Sequence, residues 1–267
     1  MQPFSDDPLG WLELELLDRD LYRGINEVPP GSRPHIYGGQ VAAQALLAAS
    51  KTVTDDRLPH SLHGYFLRPG DLNRPVLFSV DRDRDGRSFS ARRVAAIQGG
   101  EVIFEMSASF HVPEPGAQYT VAMRADVPMP EVLLRSDLSD KHRSCDMYIT
   151  TGEVPCGGSG EYPIDTMWCR VVVPYDRTPV LDACMITFMS DFGSGFGAVH
   201  HLGMPLYGPS LDHSVWFHDQ VDPTDWLLFD CVPLKVGASR GLYQGAVHDR
   251  SGRLAAMFTQ EMLLRQQ

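Results

Sequence analysis

GGQVAAQALLAASKTV, residues 38 to 53, is rich in alanine and leucine and apolar around most of its circumference. That pattern predicts a helix with no solvated face, opened by Gly38-Gly39-Gln40. Such a helix needs cover on every side. The segments that follow supply it: SLHGYFL (61–67), RPVLFSVDRD (74–83), RSFSARRVAAI (87–97), a Gln98-Gly99-Gly100 turn and EVIFEMSASFHV (101–112) alternate or carry β-branched runs. They read as consecutive antiparallel strands. A preceding strand is expected in LELELLDRDLYRG (12–24).

The second half repeats this order. Thr178 is placed as an N-cap with Pro179 at the first helical position of TPVLDACMITFM (178–189). Strands follow in SLDHSVWFH (210–218), DWLLFDCVPL (225–234), SRGLYQGAVHD (239–249) and RLAAMFTQEMLL (253–264), with a turn at Arg250-Ser251-Gly252 and an earlier strand in IDTMWCRVVV (164–173). Ser61-Leu62 matches Ser210-Leu211, and the glycine turn before the last strand recurs at Gly100 and Gly252. The chain is therefore a diverged tandem repeat. A strongly curved antiparallel sheet wrapped around a buried helix satisfies each half, which is the hotdog arrangement. The expected fold class is α+β, a double hotdog, with sheets joined edge to edge so that exposed strand edges are paired. The expected division is a first repeat at 1–115, a linker at 116–162 with one short helix around PEVLLRSDLSD (130–140), and a second repeat at 163–267.

Composition narrows the function classes. A formal charge of −11 excludes broad nucleic-acid binding, which needs a basic surface. Arg82, Arg84, Arg87, Arg92 and Arg93 form one local basic run, read either as a solvated strand face or as an anion contact. The five cysteines, at 145, 156, 169, 184 and 231, show no C-x-x-C pair and no histidine partners at zinc spacing, so neither metal nor disulfide is expected. The start MQPFSDDPLGW carries no signal-peptide pattern, no apolar run reaches the ~20 residues that span a bilayer, and LLRQQ is no peroxisomal address. A cytoplasmic protein without stable membrane insertion is expected.

In a duplicated fold the two halves can be compared position by position. Aligning Gly100 with Gly252 sets Gln260 opposite Ala108. Alternation puts Leu254, Ala256, Phe258 and Gln260 on one face, where an amide needs a hydrogen-bond partner. Asp191 at the end of the second helix and Ser210 at the start of the next strand are further polar features of that half, whereas the first helix ends on Ser50-Lys51. Taken singly, Asp191 reads as a loop cap, Ser210 as a turn residue and Gln260 as a backbone partner. Taken together they are candidates for one site. His63 and His213 stand near the aligned serines and read as structural hydrogen bonders.

The chain resembles the acyl-CoA thioesterase II family of double-hotdog enzymes. The resemblance rests on LYRGIN, IYGGQVAAQAL, HGYFLRPGD, RDGRSFSARRVAAIQ and ASFHVPEPG in the first half, and on MSDFG, SLDHSVWFH, DWLLFD, SRGLYQG and GRLAAMFTQE in the second. It covers nearly the whole sequence, least well over 117–163. It implies hydrolysis of fatty acyl-CoA to free acid and coenzyme A, with Asp191, Ser210 and Gln260 holding the attacking water, no cofactor, and association into a homo-oligomer. Ser210 replaces the threonine of some members and keeps the hydroxyl.

The chemistry fits those roles. A thioester carbonyl needs an oriented, partly deprotonated water and donors for the developing oxyanion. Burial and the C-terminal end of a helix should raise the Asp191 pKa, while donors from Ser210 and Gln260 should lower it, leaving a carboxylate ionised at neutral pH. The thiolate leaving group, with a conjugate acid near ~8.5, needs no strong general acid. Oxyanion donors are expected at the backbone N–H groups of Gly39 and Gln40. For coenzyme A, Arg68, Arg92 and Arg93 are plausible contacts without a spacing rule to single them out. Direct attack by Asp191 through an anhydride is a variant. A hotdog hydratase or dehydratase, which would use an Asp and His pair on the substrate's α and β carbons, and a non-catalytic acyl-CoA binder are the alternative functions. Neither GGSGE nor FGSGF has the G-x-S-x-G spacing of a serine hydrolase.

Overall fold

The computed structural model describes residues 8–26, 35–133, 135, 139, 144–149, 165–193, 195–203 and 208–265. The first half holds β1 (Leu14–Asp18), β2 (Leu21–Gly24), α1 (Gly38–Ser50), β3 (Leu58–Phe66), β4 (Val76–Asp85), β5 (Phe89–Gln98) and β6 (Glu101–His111). The second holds β7 (Cys145–Ile149), β8 (Thr166–Val171), α2 (Pro179–Met189), β9 (Asp212–Phe217), β10 (Leu227–Gly237), β11 (Arg240–Asp249) and β12 (Leu254–Leu263). Among the described residues the strands form one sheet in the order β1-β2-β4-β5-β6-β3-β9-β12-β11-β10-β8-β7. Read outward from its centre the order is the same in both directions, β3-β6-β5-β4-β2-β1 and β9-β12-β11-β10-β8-β7. The double hotdog is the fold.

The seam is the antiparallel pair β3–β9, in register from Ser61↔Trp216 to Tyr65↔Asp212. It closes one edge of each sheet against the other. Both helices lie against the inner face. Residues Gly39 to Ala49 of α1 are all buried, as the unbroken apolar circumference requires, and so are Ala183 to Met189 of α2. Thr178 caps α2 by accepting from Leu181 N–H at 3.2 Å, with Pro179 next in line. The matching hairpin turns at Gly100 (φ 85°) and Gly252 (φ 86°) both use the left-handed backbone that glycine takes without strain.

Two sequence expectations change. The strand expected over LELELLDRDLYRG is a hairpin, β1 and β2, turning through Arg19 and Asp20, with Asp20 at φ 57°. The turn falls on the charged run Asp18-Arg19-Asp20, which interrupts the apolar alternation. The stretch read as linker also contains β7, which pairs with β8 as β1 pairs with β2. It reads poorly because Cys145 and Met147 take the places where β-branched or aromatic residues usually mark a strand. Of the helix expected around 130–140, the described residues show a 3-10 turn at Pro130–Val132 and Ser139 in helical conformation; Leu134, Ser136, Asp137, Leu138 and Asp140 lie outside the described residues.

This joining stretch covers the outer face of the second sheet. Met123, Val127 and Leu133 pack with Trp168, Trp226 and Leu228, whose neighbours in sequence, Met167, Cys169, Leu227 and Phe229, face the main core. Trp168 Nε1–H donates to the Pro128 carbonyl at 2.8 Å, and the Arg170 guanidinium lies 4.5 Å above the Trp226 ring.

The two helices touch where α1 begins and α2 ends. Tyr37, just before α1, donates its hydroxyl to the Phe188 carbonyl at 2.8 Å, and Trp11 stacks on the Phe188 ring at 4.7 Å between centroids. A Cβ on Gly39 would sit 2.5 Å from the Phe188 carbonyl oxygen and 2.7 Å from the Tyr37 ring. Gly39→Val must therefore push the helices apart, and a loss of about 1–3 kcal/mol is expected in chemical denaturation. Wild-type stability in that variant would contradict this packing.

Candidate active site

The contact between the helix ends brings four segments together. Asp191 lies two residues past α2, where the chain leaves the helix. Its Oδ2 accepts from the Gly39 backbone N–H at 2.9 Å, a bond from the first repeat to the second. Its Oδ1 accepts from Gln260 Nε2 at 2.8 Å and from the Ser210 hydroxyl at 3.3 Å. Gln260 Nε2 also donates to Ser210 Oγ at 2.7 Å. The three polar residues singled out from the sequence therefore meet. Each is carried by a different segment: the turn after α2, the isolated bridge residue before β9, and β12.

Sequence placed Gln260 on the inner face of β12, and it is fully buried there among Leu254, Ala256, Phe258 and Met262. Asp191 and Ser210 are half-buried. Gly38 makes the approach of the carboxylate possible, since a Cβ on it would stand 2.8 Å from Asp191 Oδ2. Burial pushes the Asp191 carboxyl above the usual aspartate range; His213, Gln260, the Gly39 N–H and Ser210 pull it back. The sequence showed only the unfavourable C-terminal end of α2. The structure adds the N-terminal end of α1, whose dipole favours the anion.

The backbone donors expected for an oxyanion are both engaged: Gly39 N–H on Asp191, and Gln40 N–H on the Tyr37 carbonyl at 3.2 Å. Gly39 is therefore a partner of Asp191, a contact between repeats that no pattern within one repeat could indicate. His213 is fully buried, with Nε2 2.7 Å from Ser190 Oγ, and burial lowers its pKa. His63 lies on the outer face, its ring edge-on to Trp216 at 5.1 Å. Strand register separates these histidines by one place. Leu62 pairs with Ala108, and Thr259 with Ser214, so the residue matching His213 is Leu62.

The first repeat fills the equivalent position differently. Thr52 lies two residues past α1, as Asp191 lies past α2, and Arg92 pairs with Ala108 as Tyr243 pairs with Gln260. Arg92 is 1% exposed. Its guanidinium donates to Thr52 Oγ1 at 2.7 Å, to the Thr52 carbonyl at 3.0 Å, to the Arg84 and Ala91 carbonyls and to Asp85. It is thus no surface contact for coenzyme A. Arg68 pairs with Glu101 and Arg93 with Asp81 and Asp83, while Arg82 pairs with Asp20. The basic run is largely neutralised by its own acidic neighbours.

A family model described as the acyl-CoA thioesterase N-terminal domain matches residues 28–111, and one described as the C-terminal domain matches 109–264. The chain belongs to the acyl-CoA thioesterase family. It is an acyl-CoA thioester hydrolase by that membership. Acyl-coenzyme A thioesterase 8 of Rattus norvegicus is 35% identical over 95% of this chain and 87% of its own length. Acyl-CoA thioesterase 2 of Haemophilus influenzae is 31% identical over 99% of both. Among solved structures, the acyl-CoA thioesterase II TesB2 of Mycobacterium marinum superposes with a TM-score of 0.81 at 35% identity, covering 97% of each chain.

Within this candidate site, Gln260 is the donor that most opposes the effect of burial through a side-chain hydrogen bond to Asp191. Gln260→Leu should therefore raise the Asp191 pKa further. A titration of the labelled carboxyl carbon by NMR reads it, and an unchanged or lower value would contradict the geometry.

Proposed function

We propose that the chain hydrolyses fatty acyl-CoA to free fatty acid and coenzyme A, with Asp191 as the base that activates water and Ser210 and Gln260 as the groups that orient it. The single observation that carries this reading is the convergence of one ionisable carboxylate and two neutral hydrogen-bonding groups where the repeats meet. In this reading the first repeat, 1–115, lends a helix N-terminus, and the second, 163–267 together with β7 from the joining stretch, carries the three polar residues.

The reaction needs few parts. A water held by Asp191 Oδ1 and Ser210 gives its proton to the carboxylate as its oxygen attacks the thioester carbonyl carbon. The tetrahedral intermediate collapses by breaking the carbon–sulfur bond and releases coenzyme A thiolate, which takes up a proton. Because that leaving group is a good one, no second titrating residue is required. The Ser210 to Asp191 contact, at 3.3 Å, is long for O–H···O, so this side of Oδ1 is the least committed and the place for water. A raised pKa makes Asp191 a stronger base than an exposed aspartate, and the Gly39 N–H keeps the anion in place.

The hydratase alternative asks for an Asp and His pair exposed to the substrate's carbons. His213, the histidine whose charge acts on the Asp191 carboxyl, is buried and bonded through Nε2 to Ser190, which counts against it. A pure binder would have no use for a carboxylate held by three donors.

Asp191→Asn should lower thiol release from acyl-CoA by about 10²–10⁴-fold, with folding and acyl-CoA binding retained. Near wild-type turnover in that variant would overturn the proposal. In the wild type, activity requires the ionised carboxylate, and burial raises its pKa above the ordinary value of 3.8. The kcat/KM profile should therefore fall as pH drops through a midpoint above 3.8. A midpoint at or below that value would contradict the role of Asp191.

A further inference from the structure

Two buried polar atoms beside the site have no hydrogen-bond partner among the described residues, His213 Nδ1 and Gln260 Oε1. They belong to neighbouring strands in register. β12 and β9 pair Thr259 with Ser214, and the next residues of the two strands are Gln260 and His213, both facing the core. Because Gln260 points its NH2 at Asp191 and Ser210, its carbonyl oxygen must point away from them, and an acceptor there wants a donor. The first repeat provides the control. At the matching places it has Leu62 paired with Ala108, so both members of the polar pair are absent together.

We propose that His213 is a positioning residue for Gln260: a neutral imidazole carrying its proton on Nδ1 donates it to Gln260 Oε1 and so fixes the amide with its NH2 toward Asp191 and Ser210. Nε2 then accepts from the Ser190 hydroxyl, 2.7 Å away, whose single proton turns to the ring and away from the Thr187 carbonyl at 2.9 Å. The other neutral tautomer would set the Nδ1 lone pair against the Oε1 lone pair, a repulsion between two buried acceptors. Full burial keeps the ring neutral, although Asp191, Gln260 and Asp212 pull its pKa upward. His213 touches no reacting atom. It acts through the amide, and a histidine in a hydrolase of this kind is explained without making it an acid or a base. The inference rests on the reading of Asp191, Ser210 and Gln260 given above.

The tautomer is directly observable. In the full chain labelled with 15N-histidine at neutral pH, the long-range proton–nitrogen correlations of His213 should show the Nδ1-protonated neutral form. The Nε2-protonated form or an imidazolium would overturn the inference. Two substitutions supply the kinetic readout, because an asparagine amide nitrogen can take the place of Nδ1, and a glutamine amide nitrogen the place of Nε2. His213→Asn should hold kcat within a few-fold, whereas His213→Gln should lose at least about tenfold in kcat with KM little changed. Equal losses, or the reverse order, would mean that the ring serves only packing and the Ser190 contact. Failure of the thioesterase reading is separable from this. Full activity in Asp191→Asn would remove the base, while the tautomer measured in the wild type would still decide the His213 assignment.

Discussion

The bond from the Gly39 N–H of one repeat to the Asp191 carboxylate of the other, 2.9 Å long, is the constraint on which the site depends. A carboxylate at the end of a buried helix is unfavourable on two counts, desolvation and the helix dipole. The start of α1 supplies the opposing field and a fixed donor. For the helices to meet so closely, Gly38 and Gly39 must lack side chains, and Tyr37 and Phe188 must lock the contact through a hydrogen bond and ring packing. The glycines that open the first helix are thus part of the site in the second repeat.

Duplication gives two helix ends and two last strands, yet the structure gathers hydrogen-bonded polar side chains around a carboxylate at one set and a buried guanidinium at the other. Where the second repeat has Asp191, Gln260 and His213, the first has Thr52, Ala108 and Leu62, and the Arg92 guanidinium occupies the space with all its donors engaged. A buried arginine held by carbonyls and a carboxylate stiffens the β4–β5 hairpin against the end of α1. That is a structural use of the same place in the fold.

Much of this was legible in the sequence because it follows from period and from comparison of halves. The apolar circumference of GGQVAAQALLAASKTV demanded a wrapped helix, the matching strand order demanded two of them, and Gln260 against Ala108 marked the asymmetry. What escaped depended on contacts that no single repeat encodes. The hairpin turn at Asp20 is marked in the sequence only by the charged run Asp18-Arg19-Asp20 that interrupts the alternation. β7 offers only Tyr148 and Ile149 as strand formers, after Cys145, Asp146 and Met147. Gly39 was read as a donor for substrate because its partner lies 152 positions away. Arg92 carried a signal that could have been followed, being in phase with the buried Val94 and Ala96 on β5.

The central claim is that the Asp191 carboxylate activates a water and is not itself the nucleophile. A single turnover in 18O-labelled water, with acyl-CoA below the enzyme concentration, tests it most directly. Water attack on the thioester places the label in the released acid and leaves the peptide that contains Asp191 at its natural mass. An added 18O in that peptide, from hydrolysis of an acyl anhydride at the aspartate, would contradict the account.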